Sequence, residues 1–157
     1  MAVSLPIPEV IPQLYVVLFD GELPGEEVIT EAIDAWMESR VQGRLRRIVP
    51  RFLDGFVRIE PTPLEEVPLP PLGMLRYLGL GEAEESVLQR ATRAIVVSGA
   101  DIPLPPRAGY WATRVAAGAV AHLVEGVVLD PDQRRVRPIA EQQDSRLRTA
   151  SWCAASI

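Results

Sequence analysis

Apolar positions fall along this chain in two periods, and the places where one gives way to the other mark its elements. Leu14 to Phe19 is an unbroken apolar run stopped by Asp20-Gly21, which predicts a buried strand closed by a turn. From Val28 the period changes: Val28, Ile29, Ala32, Ile33, Trp36, Met37 and Val41 recur at helical spacing. Glu26 and Glu27 open this segment and Arg40, Arg44, Arg46 and Arg47 lie toward its end, so the charges suit a helix dipole. Phe56 to Glu60 alternates, with Arg58 and Glu60 set against Val57 and Ile59, as a half-exposed or edge strand does.

Pro61 to Gly73 holds five prolines and predicts an extended connection that does not pack. Glu82 to Thr92 reads as a short helix, and Ala94 to Val97 as a second apolar strand ending in Ser98-Gly99-Ala100-Asp101. A loop with Pro103, Pro105 and Pro106 leads into a helix from Arg107 to Val124, where proline just ahead of the first turn is well placed. Val127 to Leu129, ended by Asp130-Pro131, is a further short strand. The C-terminal stretch 131–157 is polar and turn-rich up to an apolar patch at Trp152, and poor order is expected there.

Strand, acidic loop, helix, strand occurs at 14–60 and again at 94–130. Two β-α-β halves in one domain of 157 residues predict an α+β fold, a ferredoxin-like α/β sandwich. A small doubly wound α/β sheet is the alternative. The apolar strands do not alternate, so both of their faces are expected to be covered. In the sandwich, the open sheet face would need the 82–92 helix, the tail or a second subunit, which makes a homodimer an expectation.

At 48% apolar and 24% charged, the composition is that of a soluble globular protein. The missing residue types cut deeper: all sixteen basic residues are Arg, Lys and Asn are absent, and there is one His (His122) and one Cys (Cys153). Without Lys there is no Walker A loop and no Schiff base, and one His with one Cys cannot build a conventional Cys/His zinc site. An intrachain disulfide is impossible too, in keeping with a reducing compartment. The loss of two residue types with AT-rich codons points to a GC-rich, bacterial genome.

A net charge of −5 disfavours general binding to nucleic acid or anionic membranes. Met1 to Pro12 has three prolines and no basic residue, so no secretory signal is expected. Val115 to Val128, the longest apolar region, is broken by His122 and Glu125 and is shorter than the ~20 residues of a membrane helix. A cytoplasmic location is the expectation. Cys153 stands fifth from the end, one place off a prenylation box.

Three constellations could carry chemistry. Asp20, Asp101 and Asp130 each end an apolar strand and could hold Mg²⁺ or act as acid and base, provided all three collect at one sheet edge. In a split β-α-β-β-α-β sheet Asp20 would lie at the far edge from Asp101, and aspartate is in any case a common strand-stopping residue. Ser98, Gly99, Asp101 and Arg107 lie between a buried strand and a helix N-terminus, where N–H groups and an arginine could hold an anion. Three prolines remove donors from that loop, which suits a rigid connection better.

The third is the helix carrying Trp111, Val115 and His122, which could present a face to another protein, although a buried central helix explains the same residues. His122, in a stripe with Arg114, Gly118 and Glu125, is the chain's single possible imidazole base, but no nucleophile motif accompanies it. The Arg40, Arg44, Arg46, Arg47, Arg51 cluster, with Phe52 and Phe56 beside it, has the density of a phosphate-contacting patch, yet cations also gather at helix C-termini. Pro-Leu-Pro-Pro occurs at 68–71 and 103–106, and both copies read as stiff connections.

The reading these features favour is a non-enzymatic interaction module, an accessory, regulatory or immunity-type bacterial protein that binds another protein or itself and needs no cofactor. The alternative is a small Mg²⁺-assisted hydrolase or phosphate-ligand sensor using Asp101, Arg107 and Asp20.

Overall fold

The structure, a computed structural model, describes residues 10–103, 107–131 and 135–137. The sequence repeat becomes one antiparallel sheet with helices on both faces. The first strand, β1 (Ile11–Phe19), pairs antiparallel with β3 (Arg93–Asp101) on one side and with β4 (Val127–Asp130) on the other. The edge strand β2 (Arg58–Thr62) pairs antiparallel with β3, and a short β5 (Arg135–Arg137) extends the β4 edge, giving the order β2-β3-β1-β4-β5. Every pairing is antiparallel, which excludes the doubly wound parallel sheet.

Alternation along β1 divides the interior in two. Tyr15, Val17 and Phe19 join Ile95, Val97 and Val128 in one core, while Val16 and Leu18 join Ala94, Val127 and Leu129 in the other. The larger core is filled by α5 (Ala108–Val124), with α1 (Glu26–Arg40) and α2 (Leu45–Phe56) packed against it. Twelve of the 17 residues of α5 are buried, because the sheet lies on one side and two helices on others. An apolar composition all round is what such a site demands.

The second core is closed by α4 (Glu82–Arg90), by α3 (Leu72–Tyr77) and by the segment leading into it. The predicted 82–92 helix therefore covers this face as expected. The proline-rich connection differs from its prediction: a 3-10 turn at Leu64–Glu66 and the start of α3 fold it onto the sheet, and Leu64, Val67 and Leu72 pack against the second core. Its apolar residues at 64, 67 and 72 drive this, and the prolines only fix the path between them. Arg76 donates to Glu85 from Nε (3.1 Å) and Nη2 (2.7 Å), tying α3 to α4. These hydrogen bonds hold the Glu85 carboxyl below its ordinary range, with burial opposing and the Arg76 charge adding. The tie is complete above the ordinary glutamate value and fades as pH falls through the lowered one.

Two further differences are local. The helix read through Arg47 is two helices, because Gly43 takes φ +66 and turns the chain between them. The second, α2, continues past Pro50; the carbonyl left without its N–H partner belongs to exposed Arg46, where water can take the missing bond. Phe56 consequently closes α2 instead of opening β2. The strand read as ending at Val97 runs on to Asp101, paired with the N-terminal half of β1. Tail residues 132–134 and 138–157, with Trp152 and Cys153, lie outside the described residues. Among the described residues no helix is long and apolar enough to cross a membrane.

Two glycines let α5 and β3 approach closely. A Cβ on Gly109 would stand 2.0 Å from the Ala100 carbonyl oxygen and 2.7 Å from the Asp101 Cα, and one on Gly99 would stand 1.9 Å from Thr113 Oγ1. Backbone cannot yield as a side-chain end can, so Gly109→Ala is expected to destabilise the chain by about 3 kcal/mol in urea unfolding. Gly55→Ala, in α2 with nothing within 4 Å, is expected to stabilise by about 0.5–1 kcal/mol. Equal effects from the two substitutions would contradict this packing.

Candidate functional site

The polar constellation nearest the sequence expectation sits where β3 hands over to α5. Alternation puts Asp101 on the same side of β3 as Ile95 and Val97, beneath the first turn of α5. Its side chain is 1% exposed, and Oδ2 accepts a 2.8 Å hydrogen bond from Arg107 Nε. The other oxygen, Oδ1, is buried with no hydrogen-bond partner. A buried carboxylate in this state depends on its single cation, since loss of the partner leaves an uncompensated charge.

Arg107 reaches it through an unusual backbone. As the residue capping α5 it adopts the left-handed conformation (φ 55, ψ 51), which disfavours a side chain by roughly 1–2 kcal/mol. That turn directs the guanidinium back over the helix start, to Asp101 and to the Tyr110 ring 4.9 Å from its centroid. Arg114 brackets the same tyrosine from the next turn, where Nη1 donates to the Tyr110 hydroxyl and the guanidinium lies 5.9 Å from the Trp111 ring. Tyr110 and Trp111 meet edge to face at 5.3 Å. The sequence reading did not find this grouping, although the spacing 107, 110, 114 places the three on one helix face.

The other expected site residues are dispersed. Ser98 and Gly99 are strand residues that alternate, so Gly99 meets Thr113 while Ser98 faces the opposite side of the sheet from Asp101. They line no loop with Arg107. Asp20 follows Phe19 at the other end of β1, whereas Asp101 pairs with Ile11, a separation of about 30 Å along the strands. Asp20 accepts a 3.0 Å hydrogen bond from Thr92 Oγ1 and acts as a turn residue. Asp130 is buried on the α5 side of β4, level with Tyr15 in the middle of β1. The register places it roughly 13 Å farther along and two strand spacings across from Asp101, well beyond what one cation can bridge. Among the described residues no group of three or more His, Cys, Asp or Glu could hold a metal ion.

Trp111 and Val115, considered for an interface, are buried in the chain's own core. His122 is exposed and lies against Trp36, ring centroids 5.2 Å apart, in a seat that Gly118 opens. Arg40 covers the same indole, 3.5 Å from its centroid. Gly118 and His122 of the non-apolar stripe thus form the place on α5 where Trp36 of α1 packs. A separate cleft of about 570 Å³ opens at the Asp20 end of the sheet between Leu23, Thr62, Leu64, Glu65, Thr92 and Arg93.

Comparison of the chain with known protein families, with curated proteins and with solved structures gives no match.

The geometry makes the Asp101–Arg107 pair a buckle that fastens α5 to β3. Arg107→Ala is expected to destabilise by about 2–3 kcal/mol, below the full value for a buried pair because the arginine is 38% exposed. Adding Asp101→Asn removes the stranded charge, so the double variant should recover part of that loss. A single-variant effect under about 0.5 kcal/mol in urea unfolding, the level of an ordinary surface change, would show the pair to be incidental.

Proposed function

We propose that this chain is a non-enzymatic binding module that works by contact with another protein. The observation that carries the proposal is a partly exposed apolar end of the sheet among the described residues. Helices α3 and α4 cover the second face at Val16 and Leu18, but beyond them β1 and β3 present Val10, Leu14 and Ile102 at 53, 36 and 45% exposure. Pro12, Ser98 and Ala100 lie on the same face, and the exposed Arg58 of β2 stands at its rim beside Ser98. An apolar patch of this kind fits a protein surface that is itself apolar.

The fold reading that goes with it is a ferredoxin-like α/β sandwich. It is supported by the all-antiparallel order β2-β3-β1-β4, with helices joining β1 to β2 and β3 to β4. A bacterial, cytoplasmic, accessory or immunity-type role suits the all-arginine composition and single cysteine. The phosphate-ligand alternative draws support from one feature, the half-exposed guanidinium of Arg107 at the N-terminus of a 17-residue helix.

A photoreactive phenylalanine analogue at position 14 is expected to crosslink in cells to one protein, and the same analogue at exposed Gln89 is not. Ile102→Asp should reduce that adduct at least ten-fold while the melting temperature stays within a few degrees of the parent. Equal crosslinking from 14 and 89, or an adduct indifferent to Ile102→Asp, would overturn the proposal.

A further inference from the structure

Helices α1 and α2 carry opposite charges on their solvent faces. Glu27, Glu31, Asp34 and Glu38 fall within about 60° of one another around α1, all exposed. Arg44, Arg47 and Arg51 fall within a similar arc around α2, with Asp54 one turn beyond Arg51 at the edge of that arc, again all exposed. Among the described residues none of these eight side chains makes an ion pair or a side-chain hydrogen bond.

This arrangement is unfavourable in the isolated chain. Glu27 and Glu31, Asp34 and Glu38, and Arg47 and Arg51 are like charges at i, i+4, where an isolated helix is stabilised by opposite ones. Each such pair costs a few tenths of a kcal/mol that an oppositely charged neighbour would relieve. The chain contains that neighbour twice over, because each stripe is the complement of the other. The four-residue turn between the helices, with both packed on α5, keeps the two stripes on the α5 side of the sheet.

We infer that the partner of this surface is a second copy of the chain, the acidic stripe of α1 in one copy lying against the basic stripe of α2 in the other. Two such contacts made reciprocally give a twofold dimer. Opposed charges at this spacing steer and orient the encounter, and salt weakens it as the screening length falls from about 10 Å at 0.1 M toward 3 Å at 1 M. The surface lies across the sheet from the apolar patch at Leu14, so the two proposals stand or fall separately.

The test is sedimentation velocity on two charge-reversed proteins. One carries Glu31→Arg, Asp34→Arg and Glu38→Arg, and the other carries Arg44→Glu, Arg47→Glu and Arg51→Glu. All six positions are exposed, and far-ultraviolet circular dichroism checks that each protein folds. The parent chain should dimerise at 50 mM salt with affinity at least ten-fold weaker at 500 mM. Each variant alone should be monomeric, and an equimolar mixture of the two should dimerise again, since every reversed stripe then meets its complement. A parent that is monomeric at both salt concentrations, or a mixture that stays monomeric, overturns the inference.

Discussion

The structure depends on how closely α5 can lie on β3. Glycine at 99 and 109 removes the two side chains that would hold helix and strand apart, and Thr113 fills the space over Gly99 while donating to the Gly109 carbonyl at 2.8 Å. At this distance the end of β3 is roofed by the helix, and the Asp101 carboxylate is buried beneath it. The left-handed turn at Arg107 follows, because it lets the chain reverse and deliver a guanidinium to that carboxylate. One packing contact therefore accounts for a buried acid, its cation and a strained backbone, features that in an open cleft would suggest catalysis.

Beyond that contact the molecule is organised around β1. It is central in the sheet and contributes to both cores, with its large-core side set by Tyr15, Val17 and Phe19 and its second side by Val16 and Leu18. The helices on the second face are short and stop before the N-terminal half of this strand. Beyond them Val10, Leu14 and Ile102 are exposed among the described residues, and α1 and α2 on the opposite side of the sheet carry charges of opposite sign. In protein–protein contacts generally, apolar area supplies burial and charge supplies orientation, and the proposed contacts of this chain draw on one of each.

The elements with clean periodicity were legible in the sequence: β1, α1 with its acidic start, α4 and α5 all stand where the apolar spacing puts them. The errors share a cause, in that local residue preferences were outvoted by pairing and burial. The apolar spacing from Val28 reads on through Arg47 as one helix, but Gly43 at φ +66 turns the chain and a second helix packs separately on α5. Ser98-Gly99-Ala100-Asp101 has the composition of a loop, but facing 11–14 of β1 it completes a ladder of nine pairs. The site was the less legible part. Asp101 and Arg107, singled out together as candidate ligand residues, do meet in the structure, whereas their neighbours Ser98 and Gly99 are separated by the strand's two-residue period. The conditional placement of Asp20 at the far edge is what an antiparallel β1–β3 pair produces.

The central claim is that Asp101 and Arg107 hold the fold together and do not receive a ligand. A thermal-melt panel of the purified chain with Mg²⁺, Mn²⁺, nucleotides and sugar phosphates tests it most directly. A ligand at 100 times its Kd adds about 2.7 kcal/mol, or about 5–10 °C for a chain of this size. The account predicts a flat panel. A shift of that size with any one compound, abolished by Arg107→Ala, would contradict it.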